Sequence, residues 1–260
     1  MLSLAKYNLV SMKSMQFKLF FTIVLIAFAC CLNAAFVNPQ KNIENNPPKV
    51  TITSPLNDDH FSWNSITRYN IKVTDDEDGS SEYDEVNAKE VLLEVYYLPD
   101  ASKAKNYIAN KKNGKEHNGL TMLKNHDCFT CHASKNKLIG PSLELIAKRY
   151  KLTKNSVDGL AKNVINGSTG VWGSVPMPAH KAMNATEVKQ IISWILANGS
   201  NPNLTFYPGI EGVFSTKEKP LNEKKKGVII LTASYTDHGK KGSMQNRKYG
   251  LHSILLKPTD

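Results

Sequence analysis

Five consecutive residues, Cys128-Phe129-Thr130-Cys131-His132, constrain the fold of this chain more than any other stretch. Cys-x-x-Cys-His is the attachment pattern of a c-type haem. Two thiols one helical turn apart can add to two vinyl groups on one porphyrin edge, and the adjacent histidine then lies under the iron. The motif therefore predicts one covalent haem c, attached through Cys128 and Cys131, with His132 as an axial ligand.

Two other uses of a Cys-x-x-Cys pair are less consistent with this chain. A zinc site needs two more soft ligands, and the other cysteines, Cys30 and Cys31, fall in a segment that resembles a targeting signal. A thioredoxin-like redox dithiol should follow a strand in a βαβ pattern, and no such pattern precedes residue 128. The haem interpretation is therefore preferred.

Met177 is the candidate for the second axial ligand. It lies between Pro176 and Pro178, and each proline fixes its own φ and pushes the preceding residue out of the helical region. A stiff, extended loop of this kind can hold a thioether at one depth. Met122 and Met183 lack such a frame and are interpreted as core residues.

Three histidines are possible rivals to Met177. His126 is too close to the attachment turn to reach the opposite face of a haem, and His180 could compete only if the loop were remodelled. His117 lies further upstream. A histidine in the sixth position would lower the reduction potential relative to methionine. We predict His132 and Met177 as the metal ligands.

At this point the sequence resembles the short bacterial class I cytochromes c, over about residues 115–200. The matching segments, besides the haem motif, are Ile139-Gly140-Pro141-Ser142, Asn166-Gly167-Ser168-Thr169-Gly170-Val171-Trp172-Gly173 and Val175-Pro176-Met177-Pro178-Ala179-His180. The resemblance implies a helical fold around one haem, with His132 and Met177 as axial ligands and the Pro141 region accepting the other N–H of His132. We also place Trp172 in the haem pocket, with Trp194 as a second candidate.

Helical patterns support an all-α domain in this region. Helices are predicted over residues 116–125 and 142–150, through the apolar positions from Val157 to Ile165, and after Asn184, which with Glu187 forms a capping-box-like pair. Gly167 and Gly199 end the last two. We set the cytochrome c domain at residues 108–200.

Strand patterns flank this domain on both sides. They cover residues 50–53, 69–74, 90–98, 227–235 and 251–256. The segments 51–55, 73–79 and 231–237 resemble bacterial immunoglobulin-like domains of the polycystic-kidney or cadherin-like sort. The predicted fold class is mixed: an all-α cytochrome c domain inserted in, or flanked by, an all-β immunoglobulin-like sandwich. Its two parts would be residues 50–100 and 205–260; the alternative is two unrelated β pieces.

An acidic turn, residues 75–79, lies between the second and third predicted strands. Clustered carboxylates supply the hard oxygens that calcium prefers. The competing interpretation is a solvated turn, and the sequence leaves both open.

The N-terminal residues indicate export. Lysines precede an apolar run over residues 19–32, which has the length of a signal-peptide core rather than a membrane span. We interpret residues 1–37 as a signal peptide or lipoprotein signal and residues 38–49 as a linker, with a lipid anchor at Cys30 or Cys31 as an alternative. Class I cytochromes c receive their haem outside the bacterial cytoplasm. The expected location is periplasmic or at the outer surface, with membrane anchoring as a variant.

The chain has 33 Lys and Arg against 23 Asp and Glu, a formal charge of +10. The lysines are spread along the chain and no nucleic-acid motif accompanies them, so nucleic acid is not an expected partner. Lys124, Lys135, Lys137 and Lys148 are predicted to form a basic rim that steers an acidic redox partner; a merely solvated lysine surface is the alternative.

The expected function is one-electron transfer between redox partner proteins, such as a dehydrogenase or a terminal reductase, and not enzymatic catalysis. An iron with both axial positions filled by the protein cycles between ferric and ferrous states with little rearrangement. Two alternatives stay open: an electron-accepting module of a periplasmic dehydrogenase system, and a haem-based sensor in which Met177 is a labile ligand.

Overall fold

The computed structural model describes residues 45–114, 116–222, 225–239 and 246–259. The predicted signal segment 1–37, its candidate anchor residues Cys30 and Cys31, and most of the predicted linker 38–49 lie outside the described residues. Within the described ranges, no helix is both long enough and apolar enough to cross a membrane.

The described residues contain nine strands in two sheets. The strands are β1 (Lys49–Ser54), β2 (His60–Phe61), β3 (Ile66–Asp75), β4 (Gly79–Ser80), β5 (Leu92–Leu98), β6 (Leu204–Pro208), β7 (Glu211–Ser215), β8 (Val228–Thr236) and β9 (Tyr249–Pro258). In the first sheet, β3 pairs with β1, β4 and β7; the second has the order β2-β9-β8-β5-β6. The five predicted strands are confirmed as β1, β3, β5, β8 and β9, whereas the four shorter strands were not predicted.

Alternation of apolar and polar residues explains how the first sheet faces the second. In β3, Tyr69, Ile71 and Val73 are buried while the residues between them are more exposed. The antiparallel register places Ile71 opposite Ile52 and Val73 opposite Val50. These side chains and those of the second sheet form one apolar core between the two sheets.

Strand β8 is buried along its whole length. Its odd-numbered side chains face the core between the sheets, as the period-two pattern predicts; they are Ile229, Leu231, Ala233 and Tyr235. Its even-numbered side chains point to the other face, where Val228 and Ile230 pack under a helix. Ser234 and Thr236 on that face are polar and buried, so β8 is covered on both sides.

Both sheets combine strands from the two sides of the helical region. Strand β3 pairs with β7, and β5 lies between β6 and β8. The helices lie in the chain between β5 and β6, which are antiparallel neighbours with Tyr96 opposite Leu204. The chain therefore leaves the second sheet and returns to it at adjacent positions.

The helical region contains five α-helices among the described residues. They are α1 (Ala104–Asn113), α2 (Asn118–Asn125), α3 (Leu143–Arg149), α4 (Lys154–Asn166) and α5 (Ala185–Asn198). Side chains cap four of them: His117, Ser142, Thr153 and Asn184 accept backbone N–H groups from the first turns of α2, α3, α4 and α5. The predicted helices 116–125 and 142–150 correspond to α2 and α3, and α1 was not predicted.

Helix α1 packs on the outer face of the second sheet. Buried Glu94 of β5 accepts hydrogen bonds from the Lys111 ammonium (2.6 Å) and the Tyr107 hydroxyl (3.1 Å). The Tyr107 ring stacks on Tyr96 with centroids 4.7 Å apart. Helix α1 is thus fixed to the sheet by contacts on one strand.

Helices α2 and α5 cross at Gly119. A Cβ atom at this position would collide with the backbone oxygen of Gln190 and approach the Trp194 Cβ to 2.8 Å, so glycine permits the close crossing. Trp194 then contacts Phe206 of β6 edge to face, with centroids 5.2 Å apart. The helical core includes Phe206 and Leu92, and therefore continues onto the outer face of the second sheet.

Candidate functional site

A cavity of about 340 Å³ lies among the helices and the loops that join them. It is lined by six of the residues that the sequence singled out for the site: Cys128, Cys131, His132, Pro141, Trp172 and Met177. Apolar side chains of α3, α4 and α5 complete its wall, including Leu143, Leu160 and Ile192. The structure brings together side chains that are almost fifty residues apart in sequence.

The two cysteines are held on a short 3₁₀ turn, Cys128–Thr130. Asp127, with φ 54°, reverses the chain between α2 and this turn. The N–H groups of Cys131 and His132 both donate to the Cys128 carbonyl, at 3.2 and 3.0 Å. Local hydrogen bonding therefore fixes the spacing of both thiols and the imidazole.

The thiols are free and half-buried. Burial is the main cause that raises the pKa of Cys128 to about 11, with Asp127 and Cys131 as smaller contributors. A redox dithiol requires the opposite, a nucleophilic cysteine whose pKa is lowered. The environment of Cys128 is thus unlike that of a thiol–disulfide catalyst and suits a thiol converted to a thioether.

The imidazole of His132 is fixed by the carbonyl of Pro141. Its Nδ1 lies 2.7 Å from that oxygen, and because a carbonyl can only accept, Nδ1 carries the proton and Nε2 keeps a lone pair. Burial lowers the pKa of His132, and the Pro141 contact partly opposes this effect. A Cβ at Gly140 would lie 2.5 Å from the ring Cε1, so glycine leaves room for this orientation.

Met177 is held by a two-way backbone contact with Ser168. The Met177 N–H donates to the Ser168 carbonyl (2.8 Å), and the Ser168 N–H donates to the Met177 carbonyl (3.1 Å). Gly167, with φ 80°, allows this approach because a Cβ there would lie 3.0 Å from the Met177 oxygen. The half-buried Met177 side chain lines the cavity.

Trp172 is in contact with Arg149, a residue that the sequence did not indicate as part of the site. The Arg149 guanidinium lies 4.6 Å from the Trp172 ring centroid, within cation–π range. Arg149 also donates to the Val171 carbonyl at 3.0 Å. An arginine at the end of a helix normally interacts with the helix dipole, so its sequence context gave no signal for this contact.

The rival histidines occupy different places. His180 lines the same cavity, and its N–H donates to the Val164 carbonyl at 3.0 Å. His126 faces Glu187, with Nε2 3.9 Å from the carboxylate, and His117 caps α2 by accepting the Gly119 N–H at 3.1 Å. Trp194 packs on the sheet as described above, and it is not among the cavity-lining residues.

The prediction that Lys124 belongs to the basic rim is wrong. The Lys124 side chain is completely buried, and its ammonium lies 2.8 Å from the Glu116 carboxylate. Lys124 therefore cannot steer a partner. Lys135 donates to the Asn201 carbonyl at 2.7 Å, and Lys148 is exposed and pairs with Glu144 at 2.9 Å.

Glu116 is the centre of a buried polar network that the sequence did not reveal. Besides Lys124, its carboxylate accepts from Thr121 at 2.6 Å, from Ser234 at 3.3 Å and from Thr236 at 3.1 Å. Ser234 and Thr236 are the polar residues on the outer face of β8. The network therefore ties α2, which leads into the cysteine turn, to the second sheet.

A helical fold that encloses a cavity lined by Cys-x-x-Cys-His and a distant methionine defines a c-type haem protein. The Cytochrome c family model matches residues 116–199. Cytochrome c-552 of Hydrogenobacter thermophilus is 43% identical over 76 residues, which is 29% of this chain and 76% of the relative. Cytochrome c-551 of Ectopseudomonas mendocina is 37% identical over 78 residues, 30% of this chain and 94% of the relative.

Among solved structures, the crystal structure of wild-type Nitrosomonas europaea cytochrome c552 is 34% identical, with a TM-score of 0.28, and covers 29% of this chain and 94% of that chain. The sequence relationships show that this chain belongs to the cytochrome c family. Members of this family are monohaem electron carriers, and the cofactor is a covalently attached haem c.

The residues present fit such a group. Two unpaired thiols, an imidazole whose Nε2 is free of the Pro141 contact, and a thioether all line one largely apolar cavity. The ordering of the imidazole by a carbonyl is the usual support of a metal-binding histidine. The chain's own geometry thus agrees with its family.

Proposed function

We propose that this chain is an exported monohaem cytochrome that carries one electron at a time between redox partner proteins. The observation that supports this most directly is the meeting of Cys128, Cys131, His132 and Met177 on one cavity. In this proposal Cys128 and Cys131 hold the haem covalently, and His132 and Met177 are the axial ligands.

Each residue has a separate role in the proposed site. Pro141 keeps the His132 ring in one tautomer and one orientation, so that Nε2 stays available to iron. Ser168 holds the backbone of Met177, which limits the movement of the thioether. Trp172, whose ring is in cation–π contact with Arg149, forms part of the pocket wall and limits the access of water.

Haem c bound here would supply an iron that alternates between ferric and ferrous states. With His132 and Met177 both committed as ligands, the protein leaves no position for a substrate, which favours electron transfer over catalysis. Methionine ligation favours the ferrous state and a higher potential than a second histidine would give.

The optical spectrum of the holoprotein, with and without carbon monoxide, tests this proposal. We expect a low-spin spectrum with the weak near-infrared Met–iron band and no response to carbon monoxide. Met177→Leu should lose the band and bind carbon monoxide. Met183→Leu is the matched control, because Met183 lines the same cavity, and it should behave as the wild type.

The opposite results would separate the alternatives. If the wild type responds to carbon monoxide, the sixth position is labile and the haem-sensor function gains support. If Met183→Leu rather than Met177→Leu loses the band, the ligand assignment is wrong.

For partner recognition, we propose a basic rim reduced to Lys135, Lys137 and Lys148. Exposed Lys137 lines the cavity, where a positive charge would attract an acidic redox partner, such as a periplasmic dehydrogenase for which this chain is the electron-accepting module. Reduction by an anionic one-electron reductant should slow as salt rises, and Lys137→Gln should weaken this dependence more than Lys49→Gln, an exposed control on β1. Equal salt slopes for both variants would remove the rim from the proposal.

For the domains, we propose that residues 50–100 and 205–260 form one immunoglobulin-like sandwich into which the cytochrome c domain, residues 108–200, is inserted. Each of the two sheets contains strands from before and from after the helical region, which supports the insertion. Limited proteolysis in the linking loops should leave the two β pieces in one tight complex. Two independently soluble pieces would contradict the insertion.

For location, we propose export to the periplasm or outer surface, with residues 1–37 removed or processed to a lipid anchor at Cys30 or Cys31. The intact mass of the protein purified from its native envelope fraction distinguishes these. A mass that retains residues 1–37 would contradict both.

A further inference from the structure

The loop that carries Met177 is held at its base by its own backbone. Ser168 and Met177 exchange two hydrogen bonds, of 2.8 and 3.1 Å, between their N–H and carbonyl groups. We call residues 168–177 the methionine loop. Near its tip the Gly170 N–H donates to the Gly173 carbonyl at 3.1 Å. The internal hydrogen bonds of the loop therefore lie at its base and within its tip, and they do not attach the tip to the rest of the protein.

The tip itself is loosely packed. Residues 169–176 are all exposed except Trp172, which is half-buried. A Cβ atom at Gly170 or Gly173 would meet nothing within 4 Å. Both glycines have a positive φ, 85° and 120°, in a region that glycine enters at little cost. A segment with so few contacts of its own opens easily, so its position depends on contacts with another element.

Those contacts come from the end of α3. The Arg149 side chain donates to the Val171 carbonyl at 3.0 Å, and its guanidinium lies 4.6 Å from the Trp172 ring centroid. The Tyr150 ring meets Trp172 edge to face, with centroids 6.4 Å apart. Among the described residues, no other side-chain hydrogen bond or ring contact joins the tip to another element. Arg149 is therefore the main polar link between the tip and α3.

The two contacts of Arg149 use properties that a lysine lacks. A guanidinium can place its flat face on an indole ring while the N–H groups on its edge donate to a carbonyl. An ammonium carries the same charge but has no flat face and cannot make both contacts with this geometry. Arg149 thus fixes a backbone carbonyl and the neighbouring side chain at once.

The position of the tip bears directly on the proposed haem site. Trp172 and Met177 line the same cavity and belong to the same loop. If Trp172 moved away from α3, the cavity would open beside Met177, and the loop would be held by the Ser168 contact alone. A fixed tip therefore restricts both the entry of small molecules and the movement of the thioether.

We propose that Arg149 is a positioning residue that keeps the methionine loop closed over the cavity, so that Met177 is not readily displaced by other ligands. This inference rests on the proposed function, because it takes Met177 as the sixth ligand. An electron carrier needs that ligand to stay bound through both oxidation states, since a change of ligand would slow each transfer. Arg149 would meet this need from outside the loop.

Binding of imidazole to the ferric, full-length holoprotein tests the proposal, with loss of the near-infrared Met–iron band as the signal. The wild type should bind imidazole weakly, because imidazole must displace Met177. Arg149→Ala should bind imidazole about tenfold more tightly, which corresponds to about 1.4 kcal/mol. This is the size expected from the loss of one exposed cation–π contact and one hydrogen bond.

Two further variants separate positioning from charge. Lys151→Ala is the matched control, because Lys151 is exposed, lies two residues from Arg149 and carries the same charge; it should bind imidazole as the wild type does. Arg149→Lys keeps the charge but not both contacts, and it should bind imidazole more tightly than the wild type. If Arg149→Lys and the wild type bound imidazole equally, positioning by the guanidinium would be excluded.

The melting temperature of each variant, measured in parallel, identifies a merely structural role. In that case Arg149→Ala would melt at a lower temperature but bind imidazole as the wild type does when fully folded, and the proposal would be overturned. A wild type without the Met–iron band would overturn the Met177 ligation together with this inference. A wild type with the band, and equal imidazole affinities for Arg149→Ala and Lys151→Ala, would overturn this inference alone.

Discussion

The buried ion pair between Lys124 and Glu116 allows a sharp test of how the helical region is held to the sheet. Methionine has a stem similar to that of lysine, so Lys124→Met preserves most of the packing and removes the charge. The Glu116 carboxylate, whose side chain is 4% exposed, would then be buried without a cation. Breaking a buried pair in this way costs about 3–5 kcal/mol.

The structure favours the lower end of this range. Three hydroxyl groups, from Thr121, Ser234 and Thr236, still donate to Glu116 after the substitution. We therefore expect a loss of about 3 kcal/mol in the free energy of unfolding. For a protein of this size that corresponds to a fall of about 6–12 °C in melting temperature.

Urea unfolding of the holoprotein at pH 7, followed by circular dichroism and by haem absorbance, measures this loss. Lys148→Met is the control, because Lys148 forms an exposed pair with Glu144 and should change stability by less than about 1 kcal/mol. Combining Lys124→Met with Glu116→Gln should recover part of the loss, since no unpaired charge remains buried. If Lys124→Met and Lys148→Met were equally stable, the argument for a buried charge pair would be refuted.

Three further predictions concern other positions. Gly140→Ala places a Cβ against the His132 ring and should lower the free energy of unfolding by about 1–3 kcal/mol, with a changed haem spectrum; an unchanged spectrum would contradict the contact. Gly119→Ala should lower the free energy of unfolding by a similar amount, because it disturbs the crossing of α2 and α5. At Gly159 a Cβ meets nothing within 4 Å, so Gly159→Ala should raise the free energy of unfolding by about 0.5–1 kcal/mol. Thermal unfolding should therefore show a lower melting temperature for Gly119→Ala and a higher one for Gly159→Ala. Burial raises the pKa of Tyr69 from 10.0 to about 12, so the unfolded chain ionises first and stability should fall as pH rises from 10 to 12. Tyr69→Phe should reduce that fall in urea titrations, and identical pH profiles would count against it.

The geometry of the site was largely accessible from sequence because its parts are set by local structure. The spacing of Cys128, Cys131 and His132 is fixed by one turn and its own hydrogen bonds. The two prolines around Met177 predict a rigid loop from sequence alone, because their effect on the backbone does not depend on the contacts of the loop. These residues meet on one cavity as expected, and their roles as ligands stay predictions.

Features that depend on tertiary contacts could not be predicted from the sequence. The sequence context of Lys124 is typical of a surface position, and the burial of this side chain depends on its contact with Glu116, which in turn accepts hydrogen bonds from β8. Ser234 and Thr236 are polar residues of the kind found on the exposed face of a strand. In the structure they are buried and donate hydrogen bonds to Glu116. Strands β6 and β7 have five residues each and too little alternation to stand out.

Helix α1 was missed for a related reason. Its sequence contains several lysines and asparagines and no strong apolar stripe. Its stability derives from contacts with β5, chiefly those of Tyr107 and Lys111 with Glu94. Tertiary packing, rather than intrinsic helix preference, determines this element.

The pairing of β5 with β6 has a consequence for the order of folding events. The end of β5 and the start of β6 are separated by more than a hundred residues, and closing so long a loop in a random chain is entropically costly. If the helices assemble first, with α2 against α5, only about twenty flexible residues remain in the loop, and closure is easier by about 1.4 kcal/mol. We therefore expect the contact between α2 and α5 to form before the second sheet is completed, so that the sheet closes around a helical region that is already assembled.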